Sequence, residues 1–112
     1  QDRSIDLSCS GKYTDRKIAV LVDGDTASAA EMIALCMRES GIQIFGSETF
    51  GKCTRQLSHQ LHSSLSSLRI TDSTWQVADT APPIVPDQVV PERDASGNDL
   101  PLQYAIEQLR KL

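Results

Sequence analysis

The chain has 112 residues, 39% of them hydrophobic and 23% charged, and a formal net charge of −4. That length is one domain's worth, and the composition is globular rather than disordered. The longest unbroken aliphatic run, Ile18 to Val22, is far short of the ~20 apolar residues of a membrane helix, and an acidic chain without a basic block has no footprint for nucleic acid.

Residues 1–16 are polar and mixed, and they read as a loop with at most a short edge strand. Lys17-Ile18-Ala19-Val20-Leu21-Val22 is apolar on both parities, which predicts a strand covered on both faces in a parallel or mixed sheet. Asp23-Gly24-Asp25-Thr26 has turn and cap chemistry. From Ala27 to Ser40 the spacing turns helical, with Ala29, Ile33 and Cys36 on one face, and Gly41 is placed to stop the helix. Ile42 to Gly46 predicts a second strand, so the first half is a βαβ unit. Residues 57–71 fit two patterns. Leu57, Leu61, Leu65 and Leu68 have helical spacing, while alternation with Ser63-Ser64 as a turn and Leu68–Thr71 as the return strand gives a hairpin. Four prolines make 79–91 a loop with a short extended stretch at Gln88–Val90. Asp94–Pro101 predicts a turn, and Leu102, Ala105, Ile106 and Leu109 mark a C-terminal amphipathic helix.

Three cysteines, Cys9, Cys36 and Cys53, lie far apart with no C-x-x-C spacing. A zinc site is therefore not expected, while a disulfide with one thiol and three separate thiols both stay open. The pair His59 and His62 lacks a third ligand, so neither metal nor cofactor is expected.

The informative stretch is Thr26-Ala27-Ser28-Ala29-Ala30-Glu31 at a helix start. First-turn N–H groups there have no intrahelical partner and can stabilise an oxyanion formed on a serine. Ser28-x-x-Glu31 is equally a capping box. A serine nucleophile needs a base. Of the four lysines, Lys52 stands apart, in Thr49-Phe50-Gly51-Lys52 with Gln56 four residues on. Apolar cover from Phe50 and a hydrogen bond from Gln56 would suit a neutral amine, although an exposed turn lysine fits the same letters.

Taken together, residues 18–56 resemble the catalytic core of the C-terminal processing, or tail-specific, peptidases of family S41. That family runs from an apolar strand into T-A-S-A-A-E, a helix, and G-x-x-T-F-G-K-G with a glutamine four after the lysine. Leu68–Thr71, Val85–Val89 and Asp99–Leu109 resemble the family's later strand, its G-I-x-P-D-x-x-V element and its closing helix. The resemblance implies Ser28 as nucleophile, Lys52 as general base, Gln56 as the residue orienting Lys52 and the Ala29 N–H as one oxyanion donor. It implies one domain over 1–112 with an α/β fold, a partial ClpP/crotonase-like core. The activity it implies is cleavage of polypeptide C-terminal tails outside the cytoplasm, without a cofactor. Residues 1–27 hold no histidine, which favours the lysine form of the dyad.

The departures from the family pattern set further expectations. The upstream half of the catalytic domain, which supplies the second oxyanion donor, and the PDZ domain have no counterpart in these residues. Cys53 replaces the glycine after the lysine, and Asp72-Ser73-Thr74-Trp75 replaces T-P-x-G. A homo-oligomer or a larger chain is expected to cover the exposed apolar surface. A non-catalytic peptide-binding module is the alternative function, and a crotonase-type acyl-CoA enzyme a more remote one.

Overall fold

The computed structural model describes residues 3, 4, 11 and 15–112; the expectations for most of 1–16 and for Cys9 lie outside the described residues. Strand β1 (Ala19–Val22) leads through a turn into helix α1 (Ala29–Glu39), which returns to strand β2 (Gln43–Gly46). β1 and β2 are parallel, with Ala19 opposite Gln43 and Val22 opposite Gly46. The βαβ unit is thus present, one or two residues shorter at most ends than the pattern suggested. Gly41 stops α1 as expected. It takes a positive φ of 85°, its N–H reaches Arg38 O at 2.8 Å, and the Ile42 N–H reaches Met37 O at 3.1 Å. That bond pattern satisfies carbonyls the last turn would otherwise leave unpaired.

Residues 54–74 form a hairpin, which settles the ambiguous segment in favour of alternation. Strand β3 (Thr54–Gln60) pairs antiparallel with β4 (Ser67–Thr74), placing Leu57 opposite Ile70 and His59 opposite Leu68. The loop is closed by the Leu61 N–H on Ser66 O at 3.0 Å. The strands pair with each other and, among the described residues, pack on no other helix or strand; Leu57, Leu68 and Ile70 are exposed. Just beyond β4, Trp75 and Val77 pack against the core and anchor the hairpin at its base.

Strand β5 (Gln88–Val89) lies parallel to β2 on the side away from β1, so the main sheet runs β1-β2-β5. Helix α2 (Leu100–Lys111) starts two residues before Leu102, because the Asp99 carboxylate accepts the Leu102 N–H at 3.0 Å and Pro101 suits a first turn. On β2, Ile44 joins Ala34 and Leu35 of α1 in the core. Its neighbour Phe45 meets Tyr104 of α2 edge to face, ring centroids 5.2 Å apart. Successive strand residues face opposite sides. The two helices therefore cover opposite faces of the sheet, which gives a small α/β core.

Three features differ from expectation. The α1 face bearing Ala29, Ile33 and Cys36 is exposed, and the helix buries Glu31, Ala34 and Leu35 instead, because the side turned to the sheet is the one that reaches Ile44. Among the described residues β1 lies at the edge of the sheet, and within it only Val22 is buried; Leu21 is 41% exposed. The proline-rich stretch, read as a loop, contributes Ile84 to the core at 0% exposure. Among the described residues no helix is long and apolar enough to cross a membrane.

Candidate active site

The site forms where the C-terminal ends of β1 and β2 release their chains. After Val22 a turn is knotted by Asp23. Its carboxylate accepts the N–H groups of Asp25 and Thr26, both at 3.0 Å, while the Thr26 hydroxyl accepts the Asp23 N–H at 3.0 Å. The chain then turns sharply into α1 at Ser28, whose φ of 54° and ψ of −116° lie in a region that non-glycine residues avoid. A strained serine between a strand and a helix is the geometry that lifts a nucleophilic hydroxyl clear of its own backbone.

The chain leaving β2 folds back over this turn. Gly46, at φ 129°, passes so close to β1 that a Cβ there would stand 1.9 Å from Val22 O, so only glycine fits. Ser47 N–H then donates to Val22 O at 3.1 Å, and Phe50 N–H to Thr26 O at 2.9 Å. The segment bearing Lys52 is in this way laid on the turn bearing Ser28.

The clasp between the two is Glu31. It is charged, 0% exposed and meets only donors. Its Oε2 accepts the Ser28 N–H at 2.8 Å and the Lys52 N–H at 2.9 Å; its Oε1 accepts the Thr49 hydroxyl at 2.6 Å and the Gly51 N–H at 2.7 Å. Burial by itself pushes this carboxyl up, but the Thr49 hydroxyl and the N–H groups of Gly51, Ser28 and Lys52 outweigh it and hold the group below its ordinary value of 4.5. Thr49 is buried too, and its hydroxyl accepts the Ile84 N–H at 2.7 Å. The capping box accounts for one of the four hydrogen bonds that Glu31 accepts. Its reach back to Ser28 N–H is a full hydrogen bond, whereas the Ser28 hydroxyl falls short of one towards the helix.

The other site residues are placed as follows. Lys52 is half-buried beside the turn, and its amine makes no hydrogen bond or ion pair with a described residue. The Ala29 N–H opens the helix and has no partner among the described residues, as an oxyanion donor requires. Gln56 sits on β3 next to a register shift, and its amide donates to Thr54 Oγ1 at 2.9 Å rather than to Lys52. Cys53 precedes β3 with a backbone outside the positive-φ region that would call for glycine, and its carbonyl accepts the Trp75 N–H at 2.9 Å. Cys36 and Cys53 form no disulfide with a described residue, and no metal-binding cluster occurs among the described residues. Two shallow cavities, about 150 and 170 Å³, lie around Ile18 and Leu112 and around Leu21 and Glu92, so neither is lined by Ser28 or Lys52.

Sequence reasoning saw Glu31 as a cap and missed its reach to Thr49, Gly51 and Lys52. The signal available was a carboxylate on the inward side of a helix start, followed by Thr49-Phe50-Gly51-Lys52, a segment rich in potential donors.

The α/β core thus presents a strained serine at a strand-to-helix turn, with the backbone of the Lys52 loop fastened to that turn through Glu31. The sequence pattern of peptidase family S41 matches residues 2–94, which include every strand, α1 and the whole of this site. The chain belongs to that family, and its general function is that of a serine peptidase. No curated protein matches the chain.

Proposed function

We propose that the chain carries the Ser28–Lys52 dyad of a tail-specific endopeptidase. Ser28 Oγ attacks a peptide carbonyl, and the Lys52 amine takes the hydroxyl proton. The Ala29 N–H faces the developing oxyanion as one of two donors. Collapse breaks the C–N bond, Lys52 returns the proton to the leaving amine, and water then hydrolyses the Ser28 ester. Gln56 swings from Thr54 to hold the amine. The substrates are unstructured C-terminal tails of polypeptides, met outside the cytoplasm, and the working form is an oligomer or a larger chain that supplies the second oxyanion donor.

The observation that carries this reading is the backbone of Ser28. A residue that served only as a helix cap would adopt the ordinary extended conformation of that position. Here strain worth about 1–3 kcal/mol is retained, as happens where function demands it. A fluorophosphonate should label the chain at Ser28 and nowhere else, and Lys52→Ala should abolish the labelling. A native chain that resists the reagent at every pH up to about 9 refutes the dyad.

One observation favours a second reading. Among the described residues the β3–β4 hairpin packs on no other element and leaves apolar residues bare, as a strand-addition surface for peptides would. In that case Ser28→Ala would leave peptide binding unchanged.

A further inference from the structure

A capping role explains only one of the four hydrogen bonds that Glu31 accepts. The Ser28 N–H lies three residues away, whereas Thr49 and Lys52 lie 18 and 21 residues further along the chain. One oxygen, Oε2, is shared by the backbone amides of both dyad residues. Two amides on a single acceptor atom cannot stand more than two hydrogen-bond lengths apart, so their separation is fixed by the carboxylate rather than by either loop. We propose that Glu31 is a positioning residue for the pair Ser28 and Lys52, holding the backbone of nucleophile and base in one register. Thr49 extends the same constraint to the segment at Ile84. The inference rests on the peptidase reading for its consequence, but its geometry can be tested without catalysis.

The chemistry demands a carboxylate. All four partners are donors, and a donor pair sits on each oxygen. Glutamine would turn an NH2 group towards one pair whichever way its amide faced. A capping box, by contrast, accepts glutamine as readily as glutamate. Glu31→Gln therefore separates the two roles. Thr49 is a second handle. Its hydroxyl donates to Glu31 and accepts from Ile84 N–H, and its own N–H donates to Ile84 O at 3.1 Å. Thr49→Val keeps the shape and removes the hydroxyl, while Thr49→Ser restores it.

The test measures amide hydrogen exchange and fluorophosphonate labelling on the native chain, Glu31→Gln, Thr49→Val and Thr49→Ser. In the native chain the amides of Ser28, Gly51 and Lys52 should exchange slowly and together. Glu31→Gln should speed at least two of them by about tenfold or more while the amides of α2 stay protected. Labelling at Ser28 should fall about a hundredfold, the effect of a displacement of about 1 Å between reacting groups. Thr49→Val should speed Gly51 and Ile84 with a smaller fall in labelling, and Thr49→Ser should recover both. Glu31→Gln with unchanged exchange and labelling overturns the inference, as does independent exchange of the three amides in the native chain. If Glu31→Gln does not fold, the paired Thr49 variants decide: no difference between valine and serine overturns it. A native chain with coupled amides but no labelling refutes the dyad and leaves the positioning geometry upheld.

Discussion

Gly46→Ala offers the sharpest test of how the site is assembled. An alanine Cβ would stand 1.9 Å from Val22 O, a backbone atom with no freedom to rotate away. The two strands must then part by about 1.5 Å to reach an ordinary contact, an overpacking that costs about 1–3 kcal/mol or more. The φ of 129° adds strain of about 1–3 kcal/mol for any residue with a Cβ. The Ser47 N–H bond to Val22 O and the Val90 N–H bond to Gly46 O, at 3.1 and 2.8 Å, lie on either side of the insertion. Losing either removes about 0.5–1.5 kcal/mol. The expected destabilisation is about 3–5 kcal/mol, a large part of the ~5–15 kcal/mol that holds a domain together. Urea unfolding followed by circular dichroism should show the midpoint fall by about 1–5 M. A midpoint within about 0.3 M of the native value would show that β1 and β2 are not pressed together here.

Further outcomes follow from other residues. Ser28→Gly should match or exceed the native stability, by up to about 2 kcal/mol, because glycine adopts this backbone without strain, and it should not label; urea midpoints and labelling read the two effects. Because the Glu31 carboxyl is lower in the folded chain than its ordinary 4.5, the stability it contributes is complete above that pH and is lost as pH falls through the folded value. Stability measured against pH should therefore decline on the acid side, and less steeply in Glu31→Gln. Asp72 and Asp94, exposed carboxylates also held low, by the Arg55 guanidinium and by Asn98 respectively, should supply the slope that remains. Ile84→Ala should cost about 2–5 kcal/mol by thermal or urea unfolding, although a loop residue is usually worth about 0.5 kcal/mol or less.

Much of the fold is legible in local pattern. The Lys17–Val22 run, the Asp23 turn and the helical spacing from Ala27 each state one structure, and their order states the βαβ unit. The hairpin is not legible in the same way, because Leu57, Leu61, Leu65 and Leu68 satisfy both periods. The choice falls to pairing with residues 67–74, which no single segment reveals. Ile84 is hidden among prolines that mark a loop, and its burial depends on Thr49, 35 residues away. Leu21 misleads in the other direction, since an apolar strand does not say which edge of the sheet it will occupy. At the site, Ser28 and Lys52 are recognisable by company and spacing. Glu31 is recognisable only as a cap, since its further partners arrive from a distant loop.

The most direct test of the dyad is the capture of its covalent intermediate. The chain is mixed with an unstructured peptide tail, quenched in acid within the first turnover, and weighed and mapped by mass spectrometry. The account predicts an adduct with the mass of the peptide's N-terminal fragment, carried on Ser28 and missing from Lys52→Ala. An adduct that persists in Ser28→Ala, or cleavage that proceeds with no acylated serine, would contradict it.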